Sequence, residues 1–591
     1  MADKIVRIGG ASGFWGDSAV GAPQLVAAGV DYLVFDYLAE LTMSLLVNAR
    51  AKDPALGYAT DFVDVAMKSV LRDVAAKKIK VISNAGGVNP ASCAAALGKL
   101  CNEMGVSLRI AVVEGDDVLA QVPVLKEAGV KEMFSGASLP EKVLSANAYL
   151  GALPVAKALE SGADVVITGR CVDSAVTLGA LMHEFGWQVD DYDRLAQGGL
   201  AGHVIECGCQ ATGGLFTDWE SVPGWDNMGY PIVECAADGS FIVAKPADTG
   251  GLITPAVVAE QMLYEIGDPG AYILPDVVCD FTQVVMTRIG ENRVRVAGAR
   301  GRAPTDTYKV SATYMDGWRA QAQLLITGID AAKKAQRSGE AILARTRAIF
   351  GRMKFSDYLA TNIEVLGAEH QYGPHARTRA VREAILRVTV RHENPKALGV
   401  FTREVAPAGT SWSPGTTGAS GGGRGKPSPN VRLFSFLLPK SAVRAQVKIG
   451  GETIEVAIPP GRAGDRAPRF EGLPEQAAGV DSVEVPLIQV AHGRSGDKGN
   501  ISNIGIIARK PEYLPLLRAQ LTPEAVRGYL AHLVRGEAQR YELPGIHAFN
   551  FVLREALDGG GMASMRVDPL GKGMAQILLD MPVQVPRGWV Q

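Results

Sequence analysis

The chain runs to 591 residues, too many for one ordinary core, so several folded units of roughly 150 residues each are expected. Its 60 Lys and Arg residues balance 62 Asp and Glu, without the basic surplus that binding a phosphate backbone demands, and nucleic acid is therefore not an expected partner. Nowhere do 18 apolar residues run together, MADKIVRIGG does not read as a leader, and seven scattered cysteines give no disulfide framework; a cytoplasmic protein off the membrane is the expectation.

From the N-terminus, strands are expected at 5–8, 32–35, 80–82, 108–113 and, more weakly, 132–134. Helices alternate with them near 19–28, 40–51, 62–77, 91–104, 117–128 and 149–161. Such alternation predicts an α/β region over 1–190 with a parallel sheet, doubly wound in preference to a closed barrel. The segment ADVVITGRCVDSAVTLGALMHEFGW, 163–187, condenses the pattern. A β-branched strand, 165–168, stops at Gly169; Arg170, Asp173 and Ser174 occupy the turn; an apolar helix follows. Ligands of open α/β sheets bind at this strand-to-helix edge, where helix N-termini present free N–H groups. Ser12, Asp17, Asp36, Asn84, Asn89 and Glu114 fall at the same edge and are expected to line one cleft with Arg170, although each taken singly also reads as a helix cap.

Beyond Trp187 the texture changes to an α+β region over 191–460. Residues 192–251 read as short strands between glycine turns; antiparallel strands are expected at 277–288, 293–297 and 309–314, then a helix at 331–345. The stretch EVAPAGTSWSPGTTGASGGGRGKPSPN, 404–430, reads as a loop or linker, and strands resume at 431–437 and 445–458. A second polar break, 461–482, is the expected linker to a small domain, 483–591. Its predicted elements are a strand at 483–490, the turn HGRSGDKGN, a strand at 504–508, helices near 513–517 and 523–533, and a strand at 548–553.

Several motifs carry chemistry. IGGASGFWGDS follows the first strand and Asp36 closes the second, the layout of a dinucleotide site, but no tyrosine has a lysine four residues later, so the general acid of short-chain dehydrogenases is missing. In AGHVIECGCQATGG, His203 beside Glu206 is a general-base candidate. A soft metal at His203, Cys207 and Cys209 has poor spacing and no second ligand pair, so no metal is assigned. Gly418, Ser420 and Gly422 match G-x-S-x-G but sit in the low-complexity stretch, not in a strand-turn-helix. Lys245 and Thr249 in KPADTGG, and Arg494, Ser495, Lys498 and Asn500 in HGRSGDKGN, combine donors with flexible backbone and are expected to hold a carboxylate or phosphate. His547, Asn550 and Lys572 read as facing the same pocket.

Taken in order, GGASGFWGDS, NAGGVNP, ITGRCVDSAVTLGAL, ECGCQATGG and KPADTGG resemble the acyclic terpene utilisation protein AtuA family. SGDKGN with NFVLREALDGGG resembles the ferredoxin-like module that often follows it, which implies a βαββαβ sandwich for the tail. The resemblance implies catabolism of acyclic terpenes, where intermediates are carried as coenzyme A thioesters. The expected function is an enzyme acting on a branched acyl-CoA or related carboxylate, as a hydratase or carbon–carbon lyase. Arg170 would hold the developing oxygen charge and His203, Glu206 or Asp173 would move a proton. No resident cofactor is assigned: coenzyme A enters only as part of a substrate. A homo-oligomer stays open, as do two rival readings, an NAD(P)-dependent oxidoreductase using the first glycine loop and a non-catalytic scaffold or subunit.

Overall fold

The computed structural model describes residues 4–418, 425–464, 475–476, 479 and 481–589. Its centre is a parallel ladder built from β1 (Ile5–Gly10), β2 (Tyr32–Phe35), β3 (Lys80–Ser83), β4 (Ile110–Glu114) and β6 (Val165–Thr168), in the order β1-β2-β3-β6-β4. The period of two along each strand sorts side chains into two cores. Tyr32, Val34, Ile82 and Val166 pack against the helices Leu153–Glu160, Ala175–Phe185 and Tyr192–Ile205. Leu33, Phe35, Val81, Val165 and Ile167 pack against Gly21–Ala27, Lys68–Lys77 and Pro90–Met104 on the other face. Helices on both faces of an open sheet make the region doubly wound, as expected.

The sheet continues antiparallel at both ends. Beyond β1 lie β7 (Ile232–Ala236), β8 (Phe241–Ala244), Arg293–Ala297 and Val285–Gly290; beyond β4 lie Gln446–Ile449 and Glu452–Glu455. Strands from either side of residue 190 therefore share one sheet of eleven.

Several local expectations fail. Residues 192–205 form a helix, not short strands. Its glycines, read as turn signals, serve close helix packing: a Cβ at Gly202 would lie 2.8 Å from Ser174, and one at Gly198 would lie 2.9 Å from Leu178. No strand forms at 132–134, because the Glu132 carboxylate accepts from the Phe134 and Ser135 amides and fixes a turn. An unexpected strand, β5 (Val143–Ala148), instead leaves the parallel sheet and pairs with the 21-residue strand Thr307–Thr327. That long strand is the spine of a six-stranded antiparallel sheet with Ala360–Leu366, Glu383–His392, Thr416–Gly418 and Ser428–Pro439. Parts of the stretch 404–430 are thus sheet, not linker, while residues 419–424, including Ser420 and Gly422, lie outside the described residues, as does most of 461–482.

In the C-terminal domain HGRSGDKGN is not a turn but most of the strand Ala491–Lys498, hairpinned to Ile501–Ala508 and followed in the sheet by Ala548–Leu553 and Ala538–Leu543. Ser482–Pro486 pairs separately with Pro582–Pro586. Alternating glycine and charge obscured the strand. The glycine is there because a Cβ at Gly496 would lie 2.6 Å from Glu265 and 2.8 Å from Tyr264, so this strand lies directly on the larger region. Among the described residues no helix is long and apolar enough to cross a membrane.

Candidate active site

The carboxyl ends of β2, β3 and β6 bring Asp36, Asn84 and Arg170 together. Asn84 is fully buried; its Nδ2 donates to Asp36 Oδ1 at 2.5 Å and its Oδ1 accepts from the Tyr37 amide at 2.8 Å. Ser12 Oγ donates to the Asp36 carbonyl at 3.1 Å, closing the β1 end onto the same knot. Buried Arg170 donates from Nη1 to Asp173 Oδ1 at 2.7 Å, and its guanidinium carbon sits 4.1 Å over the Tyr149 ring. The Arg170 Nε has no protein partner. Asp116, just past β4, accepts from the Arg170 amide at 2.9 Å and from Asn147 Nδ2 at 2.8 Å; burial pushes its pKa up to about 6 despite these donors. Burial, then the charges of Asp173 and Glu206, hold Asp36 well above the ordinary carboxylate range against the pull of Arg170.

His203 and Glu206 arrive on and just past the end of the helix Tyr192–Ile205. His203 Nδ1 lies 2.9 Å from Glu206 Oε1 and its Nε2 lies 3.0 Å from the Met262 carbonyl. Both ring nitrogens are thus engaged inside the protein, and His203 fixes one oxygen of Glu206. Burial raises the pKa of Glu206 although His203 pulls it down; burial opposes the charge on His203, but Glu206 outweighs it. Both shifts run upward, so the pair retains protons to higher pH than free side chains. Glu206 Oε2 is buried with no protein partner.

Two further groups complete the cluster. The Tyr272 ring lies 5.5 Å from that of His203. Lys498, from the C-terminal domain, keeps 46% of its side-chain surface accessible, and Glu265, Tyr272, Asp173 and Glu206 all act on its charge. Burial works against the ammonium, but these four groups together hold it charged. Asp36, Asp173, Glu206 and Arg170 thus act on one another's charges, and Lys498 reaches them from the C-terminal domain.

The C-terminal domain is clamped over this cluster by the segment 263–267. Asn503 Nδ2 donates to the Leu263 carbonyl at 2.6 Å and its Oδ1 accepts from the Glu265 amide at 2.9 Å; Asn550 Nδ2 donates to the Ile266 and Gly267 carbonyls at 3.1 and 2.6 Å. Lys572 Nζ donates to Glu265 at 2.8 Å, to Asp497 at 3.2 Å and to the Tyr264 hydroxyl. Glu265 holds a left-handed backbone, φ 58°, which only so many local ties can impose on a residue with a side chain. Lys572 and Lys498 draw its carboxyl below the ordinary range against the effect of burial.

Other expected site residues are used elsewhere. Asp17 accepts from the Gly13 amide at 2.9 Å and the Tyr230 hydroxyl at 2.7 Å, a turn brace. Asn89 donates to the carbonyls of Pro54 and Leu56, and Glu114 pairs with Lys448 at 2.6 Å. Lys245 and Thr249 bond to each other within their own turn. Ser495 Oγ donates to Gly571 and accepts from the Ala575 amide, Asn500 accepts from the Leu557 and Gly559 amides, and Arg494 donates to Gln210 at 2.6 Å while lying over Tyr264. Of the donors in HGRSGDKGN, Lys498 is the one that reaches the acidic cluster. Tyr149, Glu265 and Tyr272 escaped the sequence reading. Tyr149 follows the unread β5, and nothing local marks the other two.

The first glycine loop is filled from within the chain: a Cβ at Gly10 would lie 2.5 Å from the Ile205 carbonyl, and one at Gly13 would lie 2.7 Å from the Cys207 backbone. Among the described residues no group of three or more His, Cys, Asp or Glu side chains is arranged to hold a metal ion. The profile of the acyclic terpene utilisation family protein AtuA matches residues 6–449. The chain belongs to this family. A second profile, the AtuA ferredoxin-like domain, matches residues 485–584, and membership ties the chain to acyclic terpene utilisation. Neither a curated protein nor a solved structure matches it.

Proposed function

We propose that the chain is an enzyme acting on a branched acyl-CoA thioester or related carboxylate, as a hydratase or carbon–carbon lyase. One observation carries the reading: Glu206, a buried carboxyl whose pKa burial raises, has one oxygen fixed by His203 and the other without a protein partner, and the charges of Asp173 and Lys498 act on it. A buried polar atom in that state is costly unless chemistry uses it. Both reactions need a proton moved beside a carbonyl and negative charge stabilised on its oxygen. Glu206 would move the proton, Arg170 and Lys498 would face the oxygen, Asp173 would orient Arg170, and Asp36 with Asn84 would line the floor.

Incubating the full chain with branched acyl-CoA thioesters in heavy water and following deuterium beside the carbonyl by mass spectrometry tests this. Exchange with the natural chain and its loss in Glu206→Gln are expected. No exchange across the panel, or undiminished exchange in the variant, overturns the reading. The nicotinamide alternative lacks support, since the glycines of GGASGFWG make room for Ile205 and Cys207 and not for a pyrophosphate; fluorescence titration with NADH and NADPH checks that directly.

A further inference from the structure

A cleft of about 240 Å³ opens between the helix Glu40–Lys52, which follows β2, the loops after β3 and β4, and β5. Val47, Val88, Leu119 and Leu144 give it apolar walls, and Arg50 Nη1 donates to the Val88 carbonyl at 2.6 Å, bracing the lip. Its polar end is formed by Asp117, Ser145 and Asn147, and Asn147 donates to Asp116, which in turn accepts from the Arg170 amide. The crevice lined by Gly151, Asp276 and Tyr308, by contrast, holds about 10 Å³, room for one water at most. Sites that enclose a whole drug-sized ligand measure roughly 300–1,000 Å³, so this cleft suits a fragment of one.

We propose that the cleft binds the aliphatic tail of the acyl group, straight or methyl-branched, and that Val47, Leu119 and Leu144 select its length. The inference rests on the acyl reading above and deepens it. The apolar walls offer a hydrocarbon chain dispersion and desolvation. Asn147 and Asp116 tie the cleft's polar end by hydrogen bonds to the Arg170 backbone, so the cleft and the groups proposed to act on the carbonyl are neighbours at the same edge of the sheet. Leu119 is accessible at the rim, and a larger side chain there shortens the cleft without entering the core.

The test is calorimetric titration of the full chain and of Leu119→Trp with four-carbon and ten-carbon acyl-CoA thioesters, and with decanol as a probe that carries no thioester. The expected result is a roughly tenfold or greater loss of affinity for the ten-carbon ester and for decanol, with the four-carbon ester within twofold. Val47→Phe, on another wall, must give the same selective loss, and circular dichroism checks that each variant is folded. Equal weakening at both chain lengths, no change in either variant, or no binding of any long-chain probe to the natural protein overturns the inference. Decanol binding that the variants abolish, with no thioester bound, keeps the cleft and sinks the thioester reading alone.

Discussion

Two buried ionic clusters differ in how fully their hydrogen bonds are met. Arg387 and Glu364, 7% and 3% accessible, face each other on neighbouring strands; Arg387 also donates to the Met565 carbonyl at 2.7 Å and to Gln321 Oε1 at 2.8 Å, and Glu364 Oε1 accepts from the Val567 amide at 2.9 Å. Both partners thereby hold residues 565–567 of the C-terminal domain against the six-stranded sheet. Around Arg170 the burial is similar, but Arg170 Nε, Ser174 Oγ and Glu206 Oε2 have no protein partner, and Asp36 and Glu206 are both driven towards their protonated forms. A saturated cluster is architecture, because nothing in it is free to act. An unsaturated one leaves groups free to meet a ligand.

Substitutions in the two clusters are therefore expected to separate activity from stability. Glu206→Gln keeps an acceptor for His203 and removes the transferable proton. Deuterium exchange should fall roughly 10²–10⁴-fold, the range of a lost general acid or base, with the thermal midpoint little changed. Glu364→Ala should do the reverse. It leaves the Arg387 guanidinium buried without a counter-ion, at about 3–5 kcal/mol in urea unfolding, with exchange per folded molecule retained. A Glu364→Ala chain as stable as the natural one, or a Glu206→Gln chain that unfolds, would erase the distinction.

Much of the central sheet is legible in the sequence because its strands are short β-branched runs buried on both faces, and three of the clustered residues, Asp36, Asn84 and Arg170, are legible because strand ends mark them. Glycine misled most. At Gly198 and Gly202 it permits helices to touch, at Gly496 it lets two domains touch, and at Gly10 and Gly13 it admits the 205–208 backbone; the residue announces a close approach without saying to what. Lys498 meets the cluster only through the docking of the C-terminal domain, a contact with segments more than two hundred residues away that no local pattern encodes, while Tyr272 meets His203 within the larger region.

The interface offers a smaller test through pH. His492 stacks on Phe216 at 5.4 Å, and its Nε2 lies 3.1 Å from both Asp218 Oδ2 and Arg509 Nη1, with Arg509 also paired to Asp218 at 2.6 Å. Burial, then the Arg509 charge, depress the His492 pKa to about 4, against the opposing pull of Asp218. Below the ordinary value of 6.5 the unfolded chain therefore binds a proton that the folded chain refuses, and stability falls as pH drops through the window from 6.5 to about 4. Asp116 and Glu260, raised by burial to about 6 and about 7, act in the opposite sense, so the contribution of His492 shows as a difference between chains and not in one curve. Between pH 8 and pH 5 the natural chain should lose about 2 kcal/mol more than His492→Asn in urea unfolding. Parallel curves for the two would mean that the imidazole is not held neutral between Arg509 and Asp218, and that this side of the domain contact tolerates a charge as the Lys498 side does.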